Sequence, residues 1–255
     1  MYAAERQQLL AERLRVDGRL AVIELAEELN VSSETIRRDL AILERDGLAQ
    51  RVHGGAVASR SRSVVEPGLA QRSSTNAEQK ERIARAAAAF LPPAGGSIVL
   101  DAGTTISLLV DQLPLDHELT VLTHAVPNAA KLITVPSVSL HLLGGRVRGI
   151  TAAAVGQSTV DALASVQADV CFLATNAASA SHGLSTPDAE EAAVKRALAT
   201  AARTVVAVFD SSKLAVEHVF SFASYDDLDV VVTDTDARPE DIEALHAHGV
   251  EVVLA

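Results

Sequence analysis

Several turns of this chain combine glycine with hydroxyl side chains, which suits them to hold an anionic ligand. The segment Asp101-Ala102-Gly103-Thr104-Thr105 follows an apolar run and precedes a helical pattern. Gly103 would let backbone amides approach a ligand closely, Thr104 and Thr105 would add hydrogen-bond donors, and the helix start would add a favourable dipole. These groups predict a phosphate cradle, whereas a plain strand-to-helix turn is the commoner interpretation of the same residues taken alone.

Two later turns add basic groups. Gly144-Gly145-Arg146 follows another apolar run, and either Arg146 or Arg148 would supply positive charge. In the segment Asp210-Ser211-Ser212-Lys213, the lysine would meet an anionic ligand, pair with the aspartate of the same turn or stay solvated. A compact anion site therefore needs these turns to come together in space.

A fourth turn, over residues 182–188, precedes a helix predicted over 188–202. Thr186 is interpreted either as the N-cap of this helix or as a ligand donor. Glu191 and Lys195 are four residues apart, which predicts an ion pair on the helix surface. Because ligands of open α/β sheets bind outside the carboxyl ends of the strands, the four turns predict one anion site. Its candidate residues are Asp101, Gly103, Thr104, Thr105, Gly144, Gly145, Arg146, Thr186, Asp210 and Lys213.

The first part of the chain has the pattern of three short helices. Apolar side chains recur at helical spacing over residues 4–16, 22–29 and 33–46. Gly47 is placed to end the third helix through a left-handed conformation. The second and third helices, separated by a short turn, predict a helix-turn-helix.

The third helix would be the one that enters a DNA major groove. Thr35, Arg37 and Arg38 lie in its N-terminal part, which reaches base edges or phosphates in such motifs. Ser32 or Ser33 can cap the helix by accepting free amide protons of its first turn. We count both serines among the candidate DNA contacts.

A small β-wing is predicted after the third helix. Residues 48–57 alternate in polarity, turn on two glycines and alternate again. Arg51 and His53 would then lie against the phosphate backbone of DNA. A solvated pair of amphipathic helices used for dimerisation is the alternative, but the order of helix, turn, helix and wing favours the DNA-binding interpretation.

Charge is distributed unevenly along the chain, whose formal net charge is −11. Residues 1–62 hold ten basic and ten acidic side chains, while residues 63–255 hold 12 basic and 23 acidic ones. The second part therefore carries the whole negative charge. This asymmetry indicates two units with different partners.

We predict a winged helix-turn-helix domain over residues 1–58, a linker over 59–76 with a short helix near 69–73, and an α/β domain with a largely parallel sheet over 77–255. The predicted strands are 97–100, 119–122, 138–143, 170–174, 205–209, 230–233 and 250–254. The predicted helices of this domain begin near residue 77 and continue at 105–112, 125–132, 155–165, 188–202 and 239–247.

The first part of the sequence resembles the DeoR-type bacterial repressors. The matching residues are Leu29-Asn30-Val31-Ser32, Thr35-Ile36-Arg37-Arg38-Asp39-Leu40, Leu43-Glu44, Gly47 and Arg51-Val52-His53-Gly54-Gly55-Ala56. The second part is similar to the sensor domain of the same family. Its matching residues are Asp101-Ala102-Gly103-Thr104-Thr105, Gly144-Gly145, Gly156, Gly183-Leu184-Ser185-Thr186-Pro187-Asp188, Lys195, Asp210-Ser211-Ser212-Lys213 and Thr233-Asp234.

The resemblance implies a winged helix joined to a sensor that is similar in fold to ribose-5-phosphate isomerases and binds a phosphorylated sugar or a related metabolite. This sequence departs from the family at Thr123-His124, where Thr-Asn is usual, and at residues 174–177, where the family turn is richer in glycine. The histidine changes the donor and acceptor pattern that we expect at the rim of the site.

The function implied is that of a transcriptional regulator, a repressor of a sugar-metabolism operon, with no enzymatic activity and no cofactor. Its expected partners are double-stranded operator DNA and a phosphorylated sugar, for which fructose 1-phosphate is one candidate. We expect a homodimer or homotetramer, because one small reading head rarely gives enough specificity.

Two alternatives remain. A sugar-phosphate isomerase with an accessory DNA-binding domain would need a base beside the carbon that loses its proton, and Asp101, Asp188, Glu191 and Asp210 are the candidates. In the other alternative, the second domain only oligomerises and binds no metabolite.

Composition excludes several other classes. Apolar residues make up 48% of the chain and aromatic ones only 3%, so the core must consist of Val, Leu, Ile and Ala. The single cysteine, Cys171, cannot form an internal disulfide and is predicted to be a buried apolar residue. The sequence has no metal-ligand spacing, no secretory signal pattern and no apolar run of about 18 residues. These features predict a cytoplasmic protein without a membrane partner or a metal.

Overall fold

The computed structural model describes residues 3–45, 49–52, 54–58, 66–114 and 116–255. The chain divides into two compact units, Met1–Glu66 and Pro67–Ala255. Each unit has its own buried apolar side chains, so each has a core of its own.

The N-terminal unit is a winged helix-turn-helix. Its elements are α1 (Ala3–Asp17), β1 (Arg19–Ala21), α2 (Val22–Glu28), α3 (Ser33–Arg45), β2 (Ala49–Val52) and β3 (Gly55–Ala58). Leu10, Leu14, Leu25, Ile36 and Leu40 form the centre of its core and come from all three helices. The three predicted helices are therefore confirmed, while the predicted terminator Gly47 lies outside the described residues.

The predicted wing is an antiparallel hairpin of β2 and β3, in which Gln50 lies opposite Val57. The short strand β1 pairs with the other side of β3 and was not predicted, because three residues are too few to show alternation. A Cβ on Gly55 would lie 1.9 Å from the carbonyl oxygen of Leu20, so the close approach of these two strands requires glycine.

The C-terminal unit alternates strands with helices. Its helices are α4 (Leu69–Ser74), α5 (Ala77–Ala87), α6 (Thr104–Val110), α7 (Val126–Leu132), α8 (Gln157–Leu163), α9 (Ala189–Thr200) and α10 (Pro239–Ala247). Short 3-10 helices lie at Ala88–Phe90, Ser211–Lys213 and Tyr225–Asp227. Its strands are β4 (Gly96–Leu100), β5 (Leu119–Thr123), β6 (Val138–Leu142), β7 (Arg146–Arg148), β8 (Ala153–Val155), β9 (Ala168–Leu173), β10 (Ala177–Ser179), β11 (Gly183–Thr186), β12 (Ala202–Val208), β13 (Phe220–Ala223), β14 (Val230–Thr233) and β15 (Glu251–Leu254).

Seven strands form one parallel sheet in the order β15-β14-β12-β9-β4-β5-β6. These are the seven strands predicted from the sequence, with ends that differ by a few residues. The order reverses between β4 and β9, and this reversal point is where open α/β sheets bind ligands. Asp101, His124 and Ala174 follow the ends of β4, β5 and β9, so they meet there.

Two smaller sheets accompany the large one. β10, β11 and β13 form an antiparallel sheet, and β7 and β8 form a hairpin over Arg146–Val155 that we call the arm. Neither was predicted. The arm contains the run Ala152-Ala153-Ala154, and alanine is depleted in strands, so its strand pattern is weak in the sequence.

The sheet core is mostly aliphatic, as the composition predicted, but it also contains the buried aromatic side chains of Phe172, Phe209 and Phe222. Neighbouring residues of one strand point to opposite faces, so Val99 and Cys171 pack on one side while Ile98 and Phe172 pack on the other. Cys171 is fully buried, which confirms its predicted role as an apolar core residue. None of the helices in the described ranges is long and apolar enough to cross a membrane.

The predicted linker over 59–76 differs from the structure at its C-terminal end. Residues from Pro67 onward belong to the C-terminal unit and include helix α4, which confirms the short helix predicted near residues 69–73. Lys80 Nζ donates hydrogen bonds to the carbonyl oxygens of Arg72 and Thr75, and Asn76 Nδ2 donates to Asp210. These contacts hold the polar segment against the second unit, although its composition is typical of an exposed connection.

Candidate functional site

The exposed face of α3 carries the two arginines predicted to contact DNA. The side chains of Arg37 and Arg38 are 55% and 79% exposed, and each lies within 4 Å of Glu34, at 3.6 and 3.8 Å. Exposed ion pairs of this kind contribute little free energy. Both guanidinium groups are therefore able to leave Glu34 for a phosphate or a base edge.

Ser32 caps α3. Its Oγ accepts a hydrogen bond from the backbone N–H of Thr35 at 3.1 Å and lies 2.8 Å from the Thr35 hydroxyl. Of the two predicted caps, Ser32 is thus the one that the structure uses, while Ser33 is the first residue of the helix. The cap fixes the start of α3, next to the candidate DNA contacts.

A buried aspartate holds α3 against α1. Asp39 accepts hydrogen bonds from Arg6 Nε at 2.6 Å and from Gln7 Nε2 at 2.8 Å. Sequence reasoning missed this contact. A signal was present, because Asp39 falls on the same helical stripe as the buried Ile36 and Leu40.

The wing is tied to α3 through its backbone. The backbone N–H of Arg51 donates to Glu44 Oε1 at 3.0 Å, and Arg51 is an exposed residue. Arg51 therefore lies at the protein surface, as the predicted contact with the phosphate backbone of DNA requires. The other wing candidate, His53, lies outside the described residues.

In the C-terminal unit, Asp101 is the centre of a buried charged cluster. One of its carboxylate oxygens, Oδ2, pairs with Lys195 Nζ and accepts a hydrogen bond from the Ala174 N–H at 2.9 Å. The other, Oδ1, lies 3.0 Å from His124 Nε2 and accepts from the Ala102 N–H at 2.7 Å. Asp101 thereby joins the loops that follow three strands of the large sheet.

His124 connects this cluster to the arm. Its Nδ1 donates to the Ala154 carbonyl oxygen at 2.8 Å, and its backbone carbonyl accepts from the Ala154 N–H at 2.8 Å. The ring is 1% exposed. We expected this departure from the family pattern at the rim of the site, and it lies instead in the buried interior.

The environment of Asp101 keeps it charged. Burial alone raises the pKa of the Asp101 carboxyl, but the charge of Lys195 and the hydrogen bond and charge of His124 outweigh burial and lower the pKa to about 2. Asp101 is thus a buried anion that holds these loops together.

A cleft of about 290 Å³ opens beside these loops. It is bordered by α4, α6, the start of α7 and the tip of the arm. Its lining residues are Leu69, Ser73, Gly103, Thr104, Ser107, Leu108, Ala125, Pro127, Asn128, Lys131 and Thr151.

Two of the predicted anion-site residues, Gly103 and Thr104, line this cleft. Gly103 has φ +150°, and a Cβ placed on it would lie 3.1 Å from Ala174 Cβ, so the loop is built around glycine. Thr104 and Thr105 are both buried residues of α6, and Thr105 is not among the residues that line the cleft. Asn128, which sequence reasoning missed, donates from Nδ2 to the Asp101 carbonyl oxygen at 3.1 Å and so ties α7 to the same loop.

The predicted turn 210–213 joins a second polar cluster. The Asp210 carboxylate accepts hydrogen bonds from Asn76 and Ser212. Burial raises the pKa of Asp210. The charge of Lys213, these two hydrogen bonds and the charge of Lys80 lower it by more, so the pKa lies below its ordinary value. Lys213 itself is half-buried.

Lys80 lies in the same cluster. Burial lowers its pKa to about 8; the charge of Asp210 opposes this shift, and the charges of Lys213 and Arg72 add to it. Arg72 also approaches the loop that contains Gly103, since a Cβ on Gly103 would lie 4.0 Å from Arg72 Nη2. The cationic cluster of Arg72, Lys80 and Lys213 therefore adjoins the Gly103 loop.

The second predicted turn has a structural role. The Gly144 carbonyl accepts a hydrogen bond from Thr159 Oγ1 at 2.8 Å, and a Cβ on Gly145 would lie 2.2 Å from Thr159 Oγ1. Arg146 is 61% exposed and pairs with Glu190. Gly144 and Gly145 therefore pack against α8, and none of the three residues is among those that line the cleft.

Thr186 is neither an N-cap nor a cleft residue. It is the last residue of β11, fully buried, and its Oγ1 donates to Glu191 Oε2 at 3.4 Å. Asp188 caps α9 instead, accepting from the Glu191 N–H at 2.9 Å.

The surface ion pair predicted between Glu191 and Lys195 is wrong. Both residues are buried: Glu191 pairs with Arg148 at 2.8 Å, and Lys195 pairs with Asp101. A signal in the sequence pointed to this, because both charges share one helical stripe with the apolar Val194 and Leu198.

Among the described residues, no group of three or more His, Cys, Asp or Glu side chains is arranged to hold a metal ion. Burial raises the pKa of the Cys171 thiol, which favours the unreactive protonated form.

Comparisons with known proteins cover both units. The profile of the DeoR-like helix-turn-helix domain matches residues 6–62, and that of the DeoR C terminal sensor domain matches residues 75–235. The chain is 35% identical to the uncharacterized HTH-type transcriptional regulator FruR of Bacillus subtilis, over 92% of this chain and 93% of that protein. It is 30% identical to the glycerol-3-phosphate regulon repressor of Escherichia coli K12, over 100% of both chains. Among solved structures, ribose 5-phosphate isomerase A of Methanocaldococcus jannaschii is similar, with 16% identity and a TM-score of 0.41 over 55% of this chain and 56% of that one.

Proposed function

Because the chain belongs to the DeoR family of DNA-binding transcriptional regulators, we propose that it represses a sugar-metabolism operon and is controlled by a phosphorylated sugar bound in its C-terminal unit. The observation that carries the effector part of the proposal is the cleft beside the Asp101 cluster. Its lining residues and the neighbouring charges support an anionic, hydroxylated ligand, and its size supports a small one.

The composition of the cleft suits such a ligand. Four residues that carry hydroxyl groups, Ser73, Thr104, Ser107 and Thr151, line it together with Lys131, and no Asp or Glu is among the lining residues. Lys131 Nζ is held by the Ser107 carbonyl at 2.8 Å and by Asp111, and its side chain is 38% exposed. A phosphoryl group would meet several donors here without a repelling anion in the lining.

The size of the cleft limits the ligand. A volume of about 290 Å³ lies just below the range for small-molecule sites, roughly 300–1,000 Å³. It therefore favours a compact metabolite such as a sugar or polyol phosphate. The nearby charges of Arg72, Lys80 and Lys213 would add to the attraction of an anion.

The cleft also offers a route by which ligand binding would reach the N-terminal unit. Leu69 and Ser73 belong to α4, which begins three residues after the boundary between Glu66 and Pro67. A ligand that orders α4 would act on the segment that continues directly into the DNA-binding unit. We propose that this coupling lowers operator affinity, so that the metabolite acts as an inducer.

The isomerase alternative is not favoured, because family membership supports a regulator and not an enzyme. The contacts of the candidate bases agree with this. Asp101 has a pKa of about 2, far below the pH at which a general base works well. Asp188 caps α9, Glu191 pairs with Arg148, and Asp210 accepts hydrogen bonds from neighbouring side chains.

On the DNA side, we propose that Thr35, Arg37, Arg38 and the wing residues Arg51 and His53 contact an operator, with Ser32 and Ser33 at the helix start. A homodimer or homotetramer would place two reading heads on a two-fold operator, as such motifs require for specificity.

The test measures operator binding by the full chain with and without sugar phosphates. Labelled fragments of the promoter nearest its own gene are titrated with protein at low ionic strength, and the complex is then challenged with phosphorylated sugars or with the same sugars lacking phosphate. We expect binding to one fragment and its release only by a phosphorylated compound. Failure to bind any fragment would refute the operator proposal. Binding that no phosphorylated sugar reverses, with no shift in Tm, would favour a C-terminal unit that only oligomerises.

A further inference from the structure

Thr151, at the tip of the arm, carries a buried hydroxyl that makes no hydrogen bond. The residue is 4% exposed, and it lines the cleft. Within the described parts of the chain, Thr151 and Thr233 are the two threonines whose buried Oγ1 has no hydrogen-bond partner. Thr233 ends β14 and is not among the cleft-lining residues. Among the described residues, Thr151 is thus the one that combines a buried hydroxyl without a partner with a place in the lining of the cleft.

Such a group is unusual in a folded protein. Most buried polar side-chain atoms have a hydrogen-bond partner, and leaving one without a partner costs free energy. A valine would fill nearly the same volume without this cost. The hydroxyl therefore suggests a partner that arrives with the ligand.

The backbone holds Thr151 in place before any ligand arrives. Ala152 has φ +51°, a left-handed conformation that is uncommon for alanine. Its N–H donates to the Arg148 carbonyl at 2.7 Å, and its carbonyl accepts from the Val126 N–H at 3.0 Å. The tip of the arm is therefore fastened to the start of α7, whose residues Pro127 and Asn128 line the same cleft.

We propose that Thr151 is a ligand-recognition residue of the effector site, whose hydroxyl donates a hydrogen bond to an oxygen of the bound phosphorylated sugar. The inference rests on the proposed function and adds to it a residue outside the turns that the sequence singled out. Thr104 and Ser107 offer hydroxyls from α6, so Thr151 would contact the ligand from the arm. The ligand would then be held between two elements that are far apart in the chain.

The experiment compares Thr151→Val, which removes only the hydroxyl, with Thr151→Ser, which keeps it. Thr233→Val is the matched control, because it removes the other unsatisfied buried hydroxyl at a position outside the cleft. Binding of inorganic phosphate, glycerol 3-phosphate, fructose 1-phosphate, glucose 6-phosphate and ribose 5-phosphate to each full-length protein is measured by calorimetry. The Tm without ligand is measured in parallel.

For whichever probe binds the parent protein most tightly, we expect Thr151→Val to raise Kd about tenfold, and Thr151→Ser to stay within about threefold of the parent. Thr233→Val should leave Kd unchanged. The ligand-free Tm of Thr151→Val should equal or exceed that of the parent, since the variant loses an unsatisfied polar group. A purely structural role of the hydroxyl would instead lower this Tm.

Unchanged probe binding by Thr151→Val, or an equal loss of binding in Thr233→Val, would overturn the inference while leaving the proposed function intact. Should Thr151→Val fail to fold, Thr151→Ala, which also lacks the hydroxyl, takes its place under the same criteria. If no probe binds the parent protein, the effector part of the proposed function fails, and this inference fails with it.

Discussion

Lys195 and Asp101 form an ion pair between side chains that are 5% and 0% exposed, although they lie 94 residues apart in the chain. The pair joins the middle of α9 to the loop after β4, and Lys195 also donates to the Ala174 carbonyl at 3.0 Å. The candidate effector loop is therefore held by a charge contact inside the core, which makes its geometry sensitive to the loss of either partner.

We expect Lys195→Met to destabilise the protein strongly, because the variant leaves Asp101 buried without its main counter-charge. Removing one partner of a buried pair costs about 3–5 kcal/mol. Urea unfolding of both proteins measures the change. Lys131→Met is the control, since Lys131 and Asp111 form an ion pair with side chains 38% and 48% exposed, and such pairs contribute ~1 kcal/mol or less. Equal losses in the two variants would contradict the central role of the buried pair.

Acid pH should weaken the same cluster. The pKa of Asp101 is about 2 in the folded protein against an ordinary value of 3.8, so its carboxylate contributes about 2 kcal/mol of stability at neutral pH. Because the folded pKa is the lower one, this contribution is present above pH 4 and is lost as the pH falls toward 2. The difference in unfolding free energy between the parent and Asp101→Asn should therefore shrink over that window. A difference that stays constant from pH 7 to pH 2.5 would exclude this linkage.

Arg38→Ala should weaken operator binding by about 1–3 kcal/mol and leave metabolite binding unchanged, because Arg38 lies on the exposed face of α3. Fluorescence anisotropy with operator DNA measures the first effect, and calorimetry the second. Arg13→Ala removes a partly exposed arginine of α1, which pairs with Glu28 of α2, and should keep operator affinity. The assignment of α3 as the reading helix fails if the two variants lose affinity equally.

Lys213→Ala should show the reverse behaviour. Its ammonium adjoins Asp210 and Lys80, so its loss should raise the effector concentration needed for DNA release about tenfold while the protein still binds its operator. Arg203→Ala is the control, because the Arg203 side chain is 72% exposed. Arg203 lies near the amino-terminal end of β12, and the loops of the candidate site follow the carboxyl ends of the strands. An Lys213→Ala protein that responds normally to the effector would remove Lys213 from the site.

The sequence was sufficient to predict the parallel sheet and the helix-turn-helix. The seven strands appear as short apolar runs of Val, Leu and Ile because the sheet is buried on both faces. The helices of the first unit appear because Ile36, Leu40 and Leu43 keep strict helical spacing. These features depend on local periodicity, which a single sequence displays directly.

The cleft could be predicted only in part. Gly103 and Thr104 were found because they form one compact turn, whereas Lys131 and Thr151 come from α7 and the arm and meet them only in the folded chain. Lys195 was misassigned because a glutamate four residues earlier offered a nearer partner. A rule that considers only residues three or four positions apart on a helix cannot predict a pair with Asp101, which is distant in sequence and adjacent in space.

The position of α4 sets the smallest piece of this protein that could act as an isolated receptor. A fragment that starts at Pro67 retains Leu69 and Ser73, and with them one wall of the cleft. A fragment that starts at Ala77 lacks that wall and also deprives the Lys80 ammonium of the two carbonyl oxygens that solvate it. Proteolysis on the N-terminal side of Pro67 should therefore release a ligand-competent core, whereas trimming a further ten residues should leave one that still contains every strand of the sheet yet no longer retains its metabolite.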